Sequence, residues 1–264
     1  MSSVMVVAEL RTDLNMVWGV WMKIRIPLQW RGGGVICGEM QEITAIVPIK
    51  RNSERIPGKN FVDLGGKPLY RHVLETLREV EAVSCILVDT DCRDALGELE
   101  GMEKVVLLER PKRLHGDAVV MNELLEAILE GREEEHFLQT HVTNPLLTAA
   151  TIEACIASYF AHLDSHDSLF TVQRIQKRVY DAAGKAINHD LEVMQMTQDL
   201  PPVFVENSNL FLFSRSSYYN NGKNRLGKRP LLHEMDALEG LDIDEPADLE
   251  LARVLISQMA QNRR

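Results

Sequence analysis

With 264 residues, 45% of them hydrophobic and 26% charged, the chain has the composition of a soluble globular protein of one large domain or two small ones. Its formal net charge of −10 argues against a general nucleic-acid binder, although a phosphate site needs only local positive charge. No apolar run approaches the roughly 18 residues of a membrane span, and the four cysteines, Cys37, Cys85, Cys92 and Cys155, form no CxxC pair, which points to reduced thiols in a cytoplasmic protein and away from a disulfide framework or a zinc site.

The first 41 residues hold all three tryptophans (Trp18, Trp21, Trp30) and Gly32-Gly33-Gly34, with no clear strand or helix period and no secretory signal. They are expected to be an extension, or the product of an early start codon with Met40 as the true start, which leaves 42–264 as the working domain. There, Ile43–Pro48 reads as a buried strand. Leu69, Val73, Leu77 and Val80 recur at helical spacing and predict a helix over Leu69–Glu81. Cys85–Asp89 and Val105–Leu108 read as strands. Asp117 is expected to cap a helix over Ala118–Leu129, Phe137–Thr140 to form a strand, and Thr148 to cap a helix over Ala149–Ala161. This rhythm predicts an α/β fold, a Rossmann-like and mainly parallel sheet with helices on both faces and ligands at the carboxyl ends of its strands. After Ser168–Gln173 the rhythm breaks. Residues 174–208 are polar and are expected to leave the sheet as a small inserted arm, before a strand at Asn209–Ser214 and a last helix from Glu245-Pro246 to about Gln258.

The richest segment is Ile46–Asn60, where the first strand empties into a loop carrying Lys50, Arg51, Arg55 and Lys59, with Asn52 and Ser53 among them and a break at Pro57-Gly58. Such a loop either cradles a polyphosphate with backbone N–H groups and point charges or is a solvated turn. The second signal is Asp242-Ile243-Asp244. In an extended chain both carboxylates share one face, about 6.5–7 Å apart, with Ile243 turned to the core. That pair suits Mg²⁺, which is commonly held by one or two carboxylates plus phosphate and water; alternatively Asp244 only caps the following helix. Asp89 and Asp91, around Thr90 at a strand end, fit a ribose contact or an Asx turn. Gln139–Leu146 again places polar groups at a strand's carboxyl end. The chain has no Gly-x-Gly-x-x-Gly, no Walker lysine motif and no Gly-x-Ser-x-Gly, which disfavours dinucleotide-dependent dehydrogenases, P-loop enzymes and serine hydrolases.

Taken in order, Ile46–Asn60 with Leu64-Gly65-Gly66-Lys67-Pro68-Leu69, then Gln139–Thr148, then Gln198-Asp199-Leu200-Pro201 with Glu206-Asn207 and Leu210–Phe213, and finally Asp242–Leu249 resemble the motifs of the acylneuraminate cytidylyltransferases, the CMP-sialic acid synthetases and their relatives. The resemblance covers about residues 42–256. It implies a nucleotide-diphospho-sugar transferase type of fold, an arm at about 174–208 that makes a homodimer, and transfer of CMP from CTP to a nine-carbon sugar acid with Mg²⁺. Carried onto this chain, Lys50, Asn52, Ser53, Lys59, Asn60 and Asp91 would bind the nucleotide, and Gln139, His141, Thr143 and Asn207 the sugar. Asp242 and Asp244 would hold the metal, with Lys50, Lys59 and Asp242 carrying the catalysis. The chain departs from the family pattern at Lys50 (usually Arg), Glu54 (commonly Lys), His141-Val142 (usually Gln-Pro), Leu147 (often Arg) and Ser208 (Gly). Two other readings remain: a transferase of the same fold using another sugar or nucleotide, and a catalytically silent nucleotide-binding module.

Overall fold

The computed structural model describes residues 41–116 and 118–262. The predicted extension, apart from Gln41, lies outside them, as does Asp117 with its expected capping role. Seven strands form one sheet: β1 (Ile43–Ile49), β2 (Val83–Thr90), β3 (Val105–Glu109), β4 (His136–Thr140), β5 (Ser168–Ile175), β6 (Val203–Ser214) and β7 (Pro230–Glu234). Their spatial order is β3-β2-β1-β4-β6-β5-β7, and only β6 is reversed, running antiparallel to both β4 and β5.

Helices cover both faces, which is why β1 reads as an unbroken apolar run and does not alternate. On one face α1 (Leu69–Glu79) and α3 (Ala149–Ala161) pack Tyr70, Leu74, Ile152 and Cys155 onto Ala45, Val47 and Ile49. On the other, α2 (Met121–Leu129) and Tyr218 of the short α4 (Arg215–Asn220) cover Ile46, Leu87, Phe137 and Phe213. A third cluster joins the loops after β1 to α5 (Pro246–Asn262) through Ile56, Leu64, Ile243, Leu249 and Ala252.

The order of strands also opens the sheet where the basic loop begins. From β1 the chain moves outward through β2 and β3, then returns to place β4 on the other side of β1, a reversal that leaves a crevice between the two carboxyl ends. The β1–β4 ladder runs only from Thr44 to Ile46. Pro48, which has no N–H to donate, follows where β1 keeps only β2 as a neighbour.

Several boundaries differ from expectation. α1 stops at Glu79, and α2 starts at Met121, with Val120 at its N-cap and no side-chain cap. β6 begins at Val203, because the polar-looking stretch before Asn209 pairs with Val172–Ile175 of β5. The excursion between strands therefore spans 176–202. β7 lies outside the expected elements: it is short and starts with a proline, which an edge strand accommodates because no ladder bond is lost there. So does α4, six residues capped by the Ser214 side chain, which accepts the Ser217 N–H at 3.0 Å. Thr148 caps α3 as predicted, and α5 runs on to Asn262.

Candidate active site

The loop after β1 folds back on itself. Gly58 takes a left-handed conformation (φ 64°), which turns the chain into a short 3₁₀ segment at Lys59–Phe61 and brings Lys59 and Asn60 inward. Asn60 Nδ2 donates to the Lys50 carbonyl at 2.8 Å and closes the loop. The buried Lys59 ammonium donates to the Ile243 carbonyl at 2.5 Å and to Asp244 Oδ1 at 3.3 Å. Arg55 reaches the same carboxylate, Nη2 to Asp244 Oδ1 at 2.9 Å, and Glu245 Oε1 at 3.3 Å. The two strongest sequence signals, 184 residues apart, are thus in direct contact.

The acidic segment is held from the other side by the loop after β4. Ile243 N–H donates to the Thr143 carbonyl at 2.9 Å, and Asn144 Nδ2 donates to the Leu241 carbonyl at 3.2 Å. Ile243 is fully buried in the α5 cluster, while Asp242 and Asp244 both line the cleft, as the alternation of an extended chain requires. Asp248, not Asp244, serves the start of α5: its Oδ2 accepts the N–H groups of Asp244 and Glu245 at 3.0 and 2.7 Å.

The cleft has a volume of about 450 Å³ and is bordered by the basic loop, the loop after β4, the start of α2 and the acidic segment. Four basic side chains (Lys50, Arg55, Lys59, Arg110) face three acidic ones (Glu54, Asp242, Asp244). Burial pushes the Asp242 carboxyl above its ordinary range, and Asp244 adds to this, against a hydrogen bond from Thr143 and the pull of Lys59 and Arg55. Asp242 Oδ1 is buried with no hydrogen-bond partner. An orphaned buried carboxylate oxygen beside a second carboxylate is what a cation would satisfy, so the pair fits Mg²⁺ with phosphate and water completing its shell. Burial, reinforced by Arg225 and Lys59, lowers His141 to about 4, so the imidazole that lines the cleft is neutral at physiological pH.

Of the predicted site residues, the cleft brings together Lys50, Ser53, Lys59, Asn60, His141, Thr143, Asp242 and Asp244. The other four lie outside its lining. Asn52 points to solvent. Asp91 borders a separate hollow, where it accepts the Arg51 N–H at 2.8 Å. Gln139 is fully buried beneath His141. Asn207 accepts from Thr171 Oγ1 at 2.7 Å and from the Asn209 N–H at 3.3 Å, so it holds the irregular step in the pairing of β5 with β6. Arg55 and Arg110 line the cleft but were not among the predicted site residues; a basic residue directly after β3 was the available signal for Arg110.

The departures also find places. Leu147 is packed in the core against α1 and α3, where an apolar side chain belongs. Ser208 adopts φ 53°, the left-handed region a glycine enters more easily. Glu54 lines the cleft as the chain neighbour of Arg55, whose guanidinium is turned to Asp244 and Glu245.

The cytidylyltransferase family model matches residues 44–263. The chain is 26% identical over 230 residues to an N-acylneuraminate cytidylyltransferase of Escherichia coli O18:K1:H7, a match covering 84% of this chain and 53% of the relative. It is 29% identical over 161 residues to a 3-deoxy-manno-octulosonate cytidylyltransferase of Hahella chejuensis, covering 56% of this chain and 61% of that protein. The chain spans about half the length of the first of these and of similar curated relatives. Among solved structures, a CMP:2-keto-3-deoxy-manno-octonic acid synthetase complexed with CTP superposes with a TM-score of 0.59 at 17% identity, over 83% of this chain and 99% of that one, a likeness of fold. Among the described residues, no helix is long and apolar enough to cross a membrane.

Proposed function

The chain belongs to the cytidylyltransferase family, and from that premise we propose that it transfers CMP from CTP to a sialic-acid-like, nonulosonic sugar acid and releases pyrophosphate. The observation that carries this reading is the contact of the basic loop with the aspartate pair, Lys59 to Ile243 and Asp244, on one wall of a cleft at the reversal point of the sheet. A nucleoside triphosphate needs positive charge along its phosphates and a carboxylate pair for its metal, and both stand here on the same wall.

In this reading Lys50, Ser53 and Lys59 bind the phosphates, and Asn60 fixes the loop that carries them. Asp242 and Asp244 would hold Mg²⁺, which when bound supplies charge neutralisation to the triphosphate. The anomeric hydroxyl of the acid attacks the α-phosphorus and gives up its proton to solvent, the bond from the α-phosphorus to the oxygen bridging to the β-phosphorus breaks, and pyrophosphate leaves. Lys59 is already fixed by two bonds, so it offers its charge to the reacting phosphate without reorganising. His141 is too weak a base at neutral pH to take the hydroxyl proton and is assigned a binding role. The likeness to 3-deoxy-manno-octulosonate cytidylyltransferases supports a second reading, with an eight-carbon acid as acceptor. Pyrophosphate release, measured for CTP, UTP, ATP and GTP with Mg²⁺ against a panel of eight- and nine-carbon 2-keto acids, tests both. CTP with at least one acid is expected to react, and no release from any combination would refute the proposal.

The excursion after β5 exposes Ile187, Leu191 and Met196, and Met194 is 94% exposed. In this reading the arm packs against a second copy of the chain. Light scattering of wild type is expected to give a dimer and of Met194→Asp a larger monomer fraction; an unchanged mass would exclude Met194 from the interface.

A further inference from the structure

Beside the cleft, next to His141, stand two polar side chains that the mechanism above leaves unused, Gln139 and Arg225. Gln139, fully buried at the end of β4, accepts a hydrogen bond from Arg225 Nη1 through its Oε1, and its Nε2 stands 3.2 Å from His141 Nε2. Arg225 Cζ lies 3.6 Å from the centre of the Phe211 ring. The loop carrying Arg225 is firmly held. Asp167 Oδ2 accepts the Lys228 N–H at 2.9 Å and Asp167 Oδ1 the Arg229 N–H at 2.9 Å; Ser168 Oγ donates to the Leu226 carbonyl, and Asn224 Oδ1 accepts the Leu226 N–H at 3.0 Å. At Gly227 (φ 67°) any Cβ would stand 2.2 Å from Asp167 Oδ1.

The guanidinium is therefore placed by an aromatic face, an amide and a pinned loop. Desolvation pushes it down to about 10, still charged at neutral pH, and the exposed Glu206 opposes this. Its bonded partner is a neutral amide, which compensates little of a desolvated charge and takes one of five N–H donors. Arg225 is also near enough to His141, which lines the cleft, to disfavour charge there. A fixed, under-compensated guanidinium next to a neutral imidazole suits a planar anion that accepts two parallel hydrogen bonds.

We propose that Arg225, held by Gln139 and Phe211 beside His141, binds the carboxylate of the acceptor sugar acid. This rests on the function proposed above. Arg225 belongs to the loop between α4 and β7 and not to the loop assigned to the phosphates, so it would separate recognition of the acceptor from that of the nucleotide.

Steady-state kinetics of wild type, Arg225→Lys and Gln139→Glu test this, using the 2-keto acid that wild type turns over and its carboxamide. Arg225→Lys keeps the charge and loses the fork; Gln139→Glu keeps the guanidinium and engages it with a built-in carboxylate. Each is expected to raise KM for the acid by about tenfold or more, the effect of a charge-assisted hydrogen bond, with KM for CTP and kcat within about twofold. Wild type should prefer the acid to its carboxamide, and Arg225→Lys should lose most of that preference. Unchanged KM for the acid in both variants overturns the assignment while leaving the transferase reading intact. So does an equal rise of both KM values with a lower melting temperature, the mark of a structural role. A wild-type enzyme that turns over no acid removes both.

Discussion

Asp242→Asn is expected to lower CTP turnover by about a hundredfold or more, the scale of losing a preorganised electrostatic group at a reacting phosphate, while the protein without ligands unfolds at the same or a higher temperature. The two halves of this result have one cause. Asp242 is held where burial and the neighbouring Asp244 disfavour its charge, and its Oδ1 has no hydrogen-bond partner. A carboxyl whose folded-state pKa is raised binds its proton more tightly when folded, so stability is lost as pH rises above the ordinary carboxyl value. Asparagine keeps the shape and removes the charge, and with it that loss. The gain in melting temperature should therefore be present at neutral pH and fade toward about pH 4, where the unfolded carboxyl also takes up its proton. Stability given up at a site for function is the general expectation for an active site. Turnover within threefold of wild type, or a destabilised variant at neutral pH, would remove Asp242 from the metal and phosphate role.

Arg110→Met is expected to give the largest loss of stability. Arg110 Nε meets Asp89 Oδ2 at 2.6 Å, with side chains 6% and 3% exposed. Burial pushes the Asp89 carboxyl up and Arg110 pulls it back. Removing one partner of such a pair strands a buried charge, at a cost of about 3–5 kcal/mol. At roughly 2–4 °C per kcal/mol for a chain of this size, the melting temperature should fall by about 10 °C. Without Arg110 the Asp89 pKa rises further, so the deficit is full near neutral pH and shrinks as acid protonates the buried carboxyl. Melting curves at about pH 7.5 and pH 5 read this directly. A fall of only one or two degrees, or one equal at both pH values, would show that the pair is not a buried ionised couple. Arg110 also lines the cleft, so CTP binding should weaken in the same variant.

The parts of this molecule legible in its sequence are those set by local periodicity. The strand Ile43–Pro48 is a continuous apolar run because sheet and helices enclose it on every side, and Asp242-Ile243-Asp244 alternates because an extended chain must. Thr148 is readable as a cap because its oxygen serves an N–H three residues on. What escaped depends on partners far away in the chain. Arg225 acquires meaning only through Gln139, 86 residues earlier, and Arg110 only through Asp89 on the neighbouring strand. β7 and the first half of β6 do not show the pattern of enclosed strands because β7 is the sheet's edge and β6 meets β4 only from Leu210 onward, so Phe204, Val205 and Leu232 remain exposed. Asn52, Asp91 and Gln139 are read from their place after or at the end of a strand and Asn207 from a motif, and neither signal specifies which way a side chain turns. Arg55 was visible as a charge, but that it would turn onto Asp244 required the fold to bring α5 beside the first loop.

If the cleft joins CMP to a sugar acid, the mass of the product will show it. With CTP, Mg²⁺ and an accepted 2-keto sugar acid, mass spectrometry should find a CMP-linked acid in one-to-one amount with the pyrophosphate released. Pyrophosphate without a CMP-linked acid, or CTP recovered intact with every acid offered, would exclude this transfer.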